Sequence, residues 1–241
     1  MDVFEHHRTR GSFKDWASKD CRALFPNFSD NLYADSEIVY QNLNEFKNFK
    51  GKSLLLVGGG PSAKDNWENE DYDCLWSINN FFKNIKFNNL KVDLAMIMGE
   101  PDIDSSEFLN YRNKYNTLIG FEIHDKWYNY KFDNYKNYFC MHTRFYSRLG
   151  AGARMKIFAA HLGFRQVKFT GFDGPEAIFA GDHAFEPGKK TLPGVFQNMN
   201  LHDVSYFSKL QYDYFWDYVK NLYPNTSFIN IGGGHKYHEK A

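Results

Sequence analysis

Cysteine is scarce in this chain, which has three among its 241 residues. Cys21, Cys74 and Cys140 lie far apart, and no CxxC pair occurs. A disulfide framework needs more cysteines than three, and a zinc knuckle needs a closely spaced pair, so the sequence argues against either of them. We therefore expect reduced thiols, as in cytosolic proteins.

The chain also lacks a net charge and a long apolar run. Lys and Arg number 29, as do Asp and Glu, whereas nucleic-acid-binding proteins usually carry a basic excess. The apolar runs at 54–57 and 94–98 fall far short of the ~20 residues that span a bilayer. The first residues contain no apolar signal core. We expect a cytoplasmic protein without a transmembrane segment or a nucleic-acid partner, while peripheral membrane association and oligomerisation stay open.

Short apolar runs alternate with helical patterns from residue 52 onward. Strands are predicted at 53–57, 74–78, 92–98, 117–121, 138–141, 166–170 and 227–231. Helices are predicted at 150–162, ended by Gly163, and at 203–223, ended by Pro224. This alternation predicts an α/β fold with a mostly parallel sheet and helices on both faces. In such sheets ligands bind at the carboxyl ends of the strands.

Two segments fall outside this alternation. Residues 1–50 are predicted to be an extension packed on the core, with a helix over 35–49 that Ser36 could cap. Residues 174–200 form the longest stretch without periodicity, and a loop of that length is commonly a lid or a disordered segment. The remaining chain, 51–241, is predicted to be one α/β domain that includes this lid-like loop.

A glycine-rich loop, Gly58-Gly59-Gly60-Pro61-Ser62, directly follows the first predicted strand. Glycine lets a phosphate approach the backbone closely, and Pro61 suits the first position of a helix. The amino end of such a helix would offer N–H groups and a partial positive charge to an anion. The loop lacks the Lys-Ser/Thr of a Walker A motif and the full GxGxxG spacing. A tight turn without a ligand is the alternative.

Polar residues also follow the second and third predicted strands. Asn79 could bind a nucleobase edge or a ribose through its donor and acceptor, or could simply form a turn. Glu100, Asp102 and Asp104 could bind a divalent metal through oxygen. The alternative for this acidic stretch is a solvated loop.

Arginines and histidines complete the candidate set. Arg144, Arg148 and Arg154 lie in one short stretch and are suited to bidentate contacts with a phosphate or a carboxylate, although surface solubility explains them equally well. His183 and His202 lie in or near the long loop and could act as general acid or base. The histidine spacing matches no zinc pattern, so no metal site is predicted from it.

Five short motifs, in their order and spacing, resemble a known series. They are Gly58-Gly59-Gly60-Pro61-Ser62, Ser77-Ile78-Asn79-Asn80-Phe81-Phe82, Gly150-Ala151-Gly152, Ala159-Ala160-His161-Leu162-Gly163-Phe164 and Phe169-Thr170-Gly171-Phe172-Asp173. The series is similar to that of the bacterial CMP-sialic-acid-dependent sialyltransferases that act on lipooligosaccharide. It also resembles the related domain of motility-associated flagellin glycosyltransferases and of archaeal 6-hydroxymethylpterin diphosphokinase. The similarity covers roughly residues 52–231.

The resemblance implies a Rossmann-like glycosyltransferase without a required metal or cofactor. Its substrates would be a nucleotide-sugar donor, CMP-linked with a sialic-acid-like or other sugar, and a glycan acceptor in cell-surface glycan biosynthesis. His202 fits the general base and His183 is the second choice, while Arg144 or Arg148 would contact phosphate. The residues that would bind the nucleotide are Gly58, Gly59, Gly60, Pro61, Ser62, Asn79, Gly171 and Asp173.

Two alternatives stay open at this point. One is a diphosphokinase that uses ATP and Mg²⁺, in which the acidic stretch would bind the metal. The other is a non-catalytic module that binds a nucleotide or a glycan, since one fold supports many functions. Two positions also differ from the sialyltransferase series: Gly59 stands where asparagine is common, and no tyrosine follows Asp173 before Tyr206.

Overall fold

The computed structural model describes residues 39–40, 46, 48–97, 102–122, 138–142, 150–174, 181–189 and 200–232. Within these residues lie three α-helices: α1 (Ser106–Tyr115), α2 (Ala151–His161) and α3 (Leu201–Leu222). The eight strands described are β1 (Val39–Tyr40), β2 (Ser53–Val57), β3 (Cys74–Ile78), β4 (Leu94–Met96), β5 (Leu118–Glu122), β6 (Tyr138–His142), β7 (Gln166–Thr170) and β8 (Ser227–Asn230). No helix in the described part of the chain is both long and apolar enough to cross a membrane.

The strands form one sheet in the order β1-β6-β5-β4-β3-β2-β7-β8. Every described pair is parallel except β1 with β6. Leu55 at the middle of β2 pairs with Leu75 of β3 on one side and with Lys168 of β7 on the other. The molecule therefore has the predicted α/β, Rossmann-like fold.

Alternate side chains of β2 face two separate layers. Leu54 and Leu56 pack in a cluster with α2 and α3, whereas Leu55 and Val57 pack in a cluster that contains Phe108 of α1. These four apolar side chains of β2 are fully buried, as expected for a strand in the middle of a parallel sheet covered on both faces. The prediction of helices on both faces is confirmed.

The predicted helix over 35–49 is wrong at Val39 and Tyr40, which form the edge strand β1. They pair antiparallel with His142 and Met141 of β6. A β-branched residue followed by an aromatic one favours a strand, and the free edge of β6 offers the backbone hydrogen bonds that such a strand needs. The partner strand lies about a hundred residues away, so the local pattern held no sign of it.

The chain reverses its direction of travel across the sheet at β2. Strands β3, β4, β5 and β6 follow one another away from β2 on one side, and β7 and β8 then lie on its other side. Connections that leave two neighbouring parallel strands in opposite directions open a crevice at their carboxyl ends, where α/β proteins bind ligands. In this protein that switch point lies after Val57 and Thr170.

Lys156 of α2 is a fully buried lysine in the layer between the sheet and α3. Its ammonium nitrogen lies 3.7 Å from the ring centre of Phe169, 5.0 Å from that of Phe172 and 5.7 Å from those of Phe215 and Trp216. Burial lowers the pKa of Lys156 well below its usual value. The cause is desolvation of the ammonium group, which typically costs several kcal/mol for a buried ion.

Replacing Lys156 with methionine is expected to stabilise the protein at neutral pH. The folded state binds fewer protons than the unfolded state at this site, so wild-type stability falls as the pH drops below the unfolded pKa. The advantage of Lys156→Met should therefore shrink as the pH rises from 7 to 10, by at most about 1.4 kcal/mol per pH unit. Urea unfolding across this range tests it, with exposed Lys220→Met as the control; a pH-independent difference would contradict a neutral Lys156.

Candidate functional site

The loops that follow β2 and β7 pack back to back at the switch point. The Gly58 N–H donates to the Thr170 carbonyl at 2.8 Å, and the Gly60 N–H donates to the Gly171 carbonyl at 2.7 Å. A Cβ atom at position 58 would lie 2.5 Å from the Gly171 carbonyl oxygen. The glycines are thus needed where the two backbones approach most closely. This brings together the predicted site residues Gly58, Gly60 and Gly171.

Pro61 begins a helix after the glycine loop, as predicted, but this helix is a single 3₁₀ turn, Pro61–Lys64. Because four residues align few peptide dipoles, the helix-end charge available to an anion is small. The Ser62 N–H donates instead to the Asp173 Oδ2 atom at 2.8 Å. A carboxylate of the protein itself therefore occupies the anion position at this amide.

The Ser62 hydroxyl joins the two loops. It accepts hydrogen bonds from the Gly171 N–H at 2.8 Å and from the Thr170 hydroxyl at 3.1 Å. Gly232, just after β8, approaches the same point, since a Cβ there would lie 2.5 Å from both hydroxyl oxygens. The structure gives Ser62 a linking role among β2, β7 and β8, and its part in ligand binding stays a prediction.

A segment of residues 181–189, here called the His183 segment, covers the glycine loop. The Ala184 N–H donates to the Gly59 carbonyl at 2.7 Å. A Cβ at position 59 would lie 2.3 Å from Cε1 and 2.4 Å from Nε2 of the His183 ring, so the imidazole rests directly on Gly59. A ligand at this edge therefore meets the imidazole before it meets the loop backbone.

Asp173 covers Gly60 in the same way that His183 covers Gly59. A Cβ at position 60 would lie 2.3 Å from the Asp173 Oδ2 atom. Both covering side chains are half-buried. Gly59 and Gly60 thus leave room for an imidazole and a carboxylate on adjacent positions of the glycine loop.

Core packing and hydrogen bonds hold the His183 segment in place. Phe185 is buried against Phe87, with ring centres 5.7 Å apart. The Glu186 carboxylate accepts from the Asn80 side-chain amide at 2.9 Å and forms ion pairs with Lys83 and Lys189. Residues 175–180 and 190–199 of the predicted lid lie outside the described residues.

The His183 ring has a defined hydrogen-bonding state. Its Nδ1 atom accepts from the backbone N–H of Phe185 at 3.3 Å and of Glu186 at 3.1 Å. Burial, and to a smaller extent the Lys189 ammonium, lowers the pKa of His183, while Glu186 opposes that shift. His183 is therefore neutral at physiological pH.

Asn79 has a left-handed backbone (φ 48°), and its N–H donates to the Met96 carbonyl at 2.9 Å.

The neighbouring Asn80 is the more buried of the two and was not among the predicted site residues. Its side chain donates to Glu186 and accepts from the Asp102 N–H at 3.0 Å. Asn80 thus links the ends of β3 and β4 to the His183 segment, a role that its position after a strand could have suggested.

His202 occupies the first turn of α3, where Asn200 caps the helix by accepting from the Asp203 N–H at 2.9 Å. Its side chain is 90% exposed, and its Nδ1 atom lies 3.4 Å from an Asp203 carboxylate oxygen. The ring is thus open to solvent and does not pack on the glycine loop. Its assignment as general base stays a prediction.

The remaining predicted residues are only partly described. Arg144, Arg148 and Glu100 lie outside the described residues. The Asp102 carboxylate forms an ion pair with Lys83, which already uses one of the charges that the acidic stretch would offer to a metal.

In comparisons with known proteins, the chain matches solved structures. No protein-family profile and no curated protein sequence matches the chain. One similar structure is the sialyltransferase CstII from Campylobacter jejuni in complex with a substrate analogue, cytidine-5'-monophosphate. It has 14% sequence identity and a TM-score of 0.47, and the match covers 77% of this chain and 81% of that one.

A second similar structure is the monofunctional alpha-2,3-sialyltransferase Cst-I from Campylobacter jejuni. It has 15% identity and a TM-score of 0.46, and the match covers 74% of this chain and 75% of that one. At these identities the likeness concerns the arrangement of strands and helices, and it assigns no role to any residue.

Proposed function

We propose that this protein transfers a sugar from a nucleotide-activated, CMP-linked donor to a hydroxyl of a glycan acceptor. The observation that carries the proposal is that His183 and Asp173 cover adjacent glycines of the loop at the switch point. This is the place where α/β sheets bind nucleotides. Three of the five motifs described from the sequence, at 58–62, 77–82 and 169–173, include the loops that follow β2, β3 and β7.

The two covering side chains suit different parts of a nucleotide. An ionised carboxylate has about four lone-pair sites, so Asp173 can accept from ribose hydroxyls as well as from the Ser62 N–H. The neutral imidazole of His183 can donate its N–H, and the side-chain amide of Asn79 can donate as well. Both donors would serve groups of the nucleotide that lie beside Asp173. The nucleotide would therefore lie across the ends of β2, β3 and β7.

The reaction itself needs one proton acceptor. The acceptor hydroxyl oxygen attacks the anomeric carbon, and the bond from that carbon to the phosphate oxygen breaks. The nucleoside monophosphate leaves with the bonding electron pair, and the hydroxyl proton passes to a base. His202 supplies that base in this proposal, because its ring is open to solvent and to an incoming acceptor.

Replacing His202 with alanine is expected to lower the rate of transfer at least about a hundredfold, the usual size of a general-base effect. CMP affinity should stay unchanged, because the exposed ring does not contact the nucleotide in this proposal. The assay uses CMP-linked sugars, a glycan acceptor and a chelator, with product mass as the readout. Lys209→Ala, two turns further along α3, is the control and should keep wild-type turnover.

Two outcomes would contradict the proposal in different ways. Transfer at the wild-type rate by His202→Ala would remove His202 from the mechanism and leave the transferase function standing. A wild-type protein that binds no CMP and forms no product from any CMP-linked sugar would overturn the function itself.

A further inference from the structure

The hydrogen bonds of the His183 segment fix which ring nitrogen carries the proton. Nδ1 faces the N–H groups of Phe185 and Glu186 and accepts from both. A proton on Nδ1 would point at these two donors. A neutral imidazole has one protonated and one bare nitrogen, so the proton is on Nε2.

The Nε2–H group lies over the glycine loop that follows β2. Nε2 lies against Gly59, as the 2.4 Å separation from a Cβ at that position shows, and no acceptor for its proton occurs among the described residues. The ring centre lies 5.7 Å from that of the buried Phe185. The donor is therefore held in position before any ligand arrives, the condition under which a hydrogen bond contributes most to catalysis.

The charged groups around His183 come from three elements. Glu186 and Lys189 belong to its own segment and are ion-paired with each other. Lys64, from the turn after the glycine loop, pairs with Asp182. Asp173 lies beyond Gly60 and is hydrogen-bonded to Ser62. Each of these charges has a partner, so the imidazole acts as a neutral donor between them.

We propose that His183 binds a phosphate oxygen of the donor through Nε2–H and steadies the departing nucleoside monophosphate, instead of acting as a base. The assignment rests on the proposed function and names the atom that meets the phosphate. A nitrogen that already holds its proton cannot take one from the acceptor hydroxyl. It can donate to the oxygen on which negative charge grows as the glycosidic bond breaks.

Two substitutions separate the two nitrogens of the ring. In His183→Asn the amide oxygen can take the place of Nδ1 and accept from Phe185 and Glu186, but no donor remains at the Nε2 position. In His183→Gln the amide N–H can reach the Nε2 position, but the Nδ1 acceptor is lost. His183→Asn therefore tests the Nε2–H donor, and His183→Gln tests the hydrogen bonds by which Nδ1 stabilises the His183 segment.

Binding of CMP and of cytidine is measured by calorimetry for wild type and both variants, together with melting temperature and turnover. His183→Asn should melt like wild type, bind CMP about tenfold more weakly, bind cytidine unchanged, and turn over at least about a hundredfold more slowly. His183→Gln should melt at a lower temperature but retain more CMP affinity and more turnover than His183→Asn.

Other outcomes overturn the assignment. Wild-type CMP affinity and turnover in His183→Asn would show that Nε2–H meets no phosphate, with sugar transfer itself unaffected. Equal loss of turnover in both variants would point to a base at position 183. Absence of CMP binding in wild type would remove this assignment together with the proposed function.

Discussion

Replacing Gly59 with alanine is expected to lower turnover at least about a hundredfold, the cost of displacing a positioned group by roughly 1 Å. The new methyl group would lie 2.3 Å from Cε1 of the His183 ring, closer than two carbon atoms can approach. The ring must therefore move away from the loop, and its Nε2–H donor moves with it. Steady-state kinetics measure the loss of turnover, and a melting curve measures any loss of stability that accompanies the displacement of the ring.

A double variant shows whether the clash is the cause. In Gly59→Ala with His183→Gly, the methyl group has space, so the His183 segment can return to its place. The melting temperature of the double variant should then match that of His183→Gly alone, a coupling expected for residues in direct contact. Simply additive losses would show that Gly59 matters for a reason other than the imidazole above it.

Replacing Gly171 with alanine is expected to lower the melting temperature on the order of 10 °C for a chain of this size. Gly171 has a left-handed backbone (φ 76°), and a Cβ there would lie 2.3 Å from the Gly58 carbonyl oxygen. The left-handed conformation costs about 1–2 kcal/mol for alanine, and overpacking adds about 1–3 kcal/mol. The clash is with backbone, which cannot rotate away as a side chain would.

Gly51→Ala is the matched control for Gly171→Ala. Gly51 has nearly the same backbone angle (φ 79°), but no described atom lies within 4 Å of a Cβ at that position. Gly51→Ala should lose only the stability that a left-handed backbone costs an alanine. The further loss of melting temperature in Gly171→Ala then measures the close approach of the β2 and β7 loops. Equal losses in differential scanning calorimetry would contradict that close approach.

The sheet could be predicted from the sequence because its central strands are short apolar runs bounded by polar residues and turns. The bounds of β2, β3 and β7 match the prediction. β4 begins at Leu94, two residues after the predicted start at Val92, whose N–H donates to the Tyr111 hydroxyl and so leaves the strand ladder. That bond comes from α1, so the apolar run alone could not reveal it.

The site could be predicted only in outline. A glycine loop after a strand indicates the correct edge of the sheet, and Gly171 and Asp173 follow a strand in the same way. The partners could not be predicted, because Ser62 and Asp173 are 111 residues apart and Asn80 and Glu186 are 106 apart. The glycine pattern suits a bound phosphate and a covering side chain equally well, and only the fold shows that His183 and Asp173 cover the loop.

Calorimetric titration of wild type and Gly59→Ala with CMP, in the presence of a chelator, tests the switch-point site most directly. We expect wild type to bind CMP without a divalent metal and Gly59→Ala to bind it about tenfold more weakly, because the His183 donor is displaced. Absence of CMP binding by wild type would contradict a nucleotide site at the carboxyl ends of β2 and β7, whereas equal binding by both proteins would contradict the contact between CMP and the His183 donor.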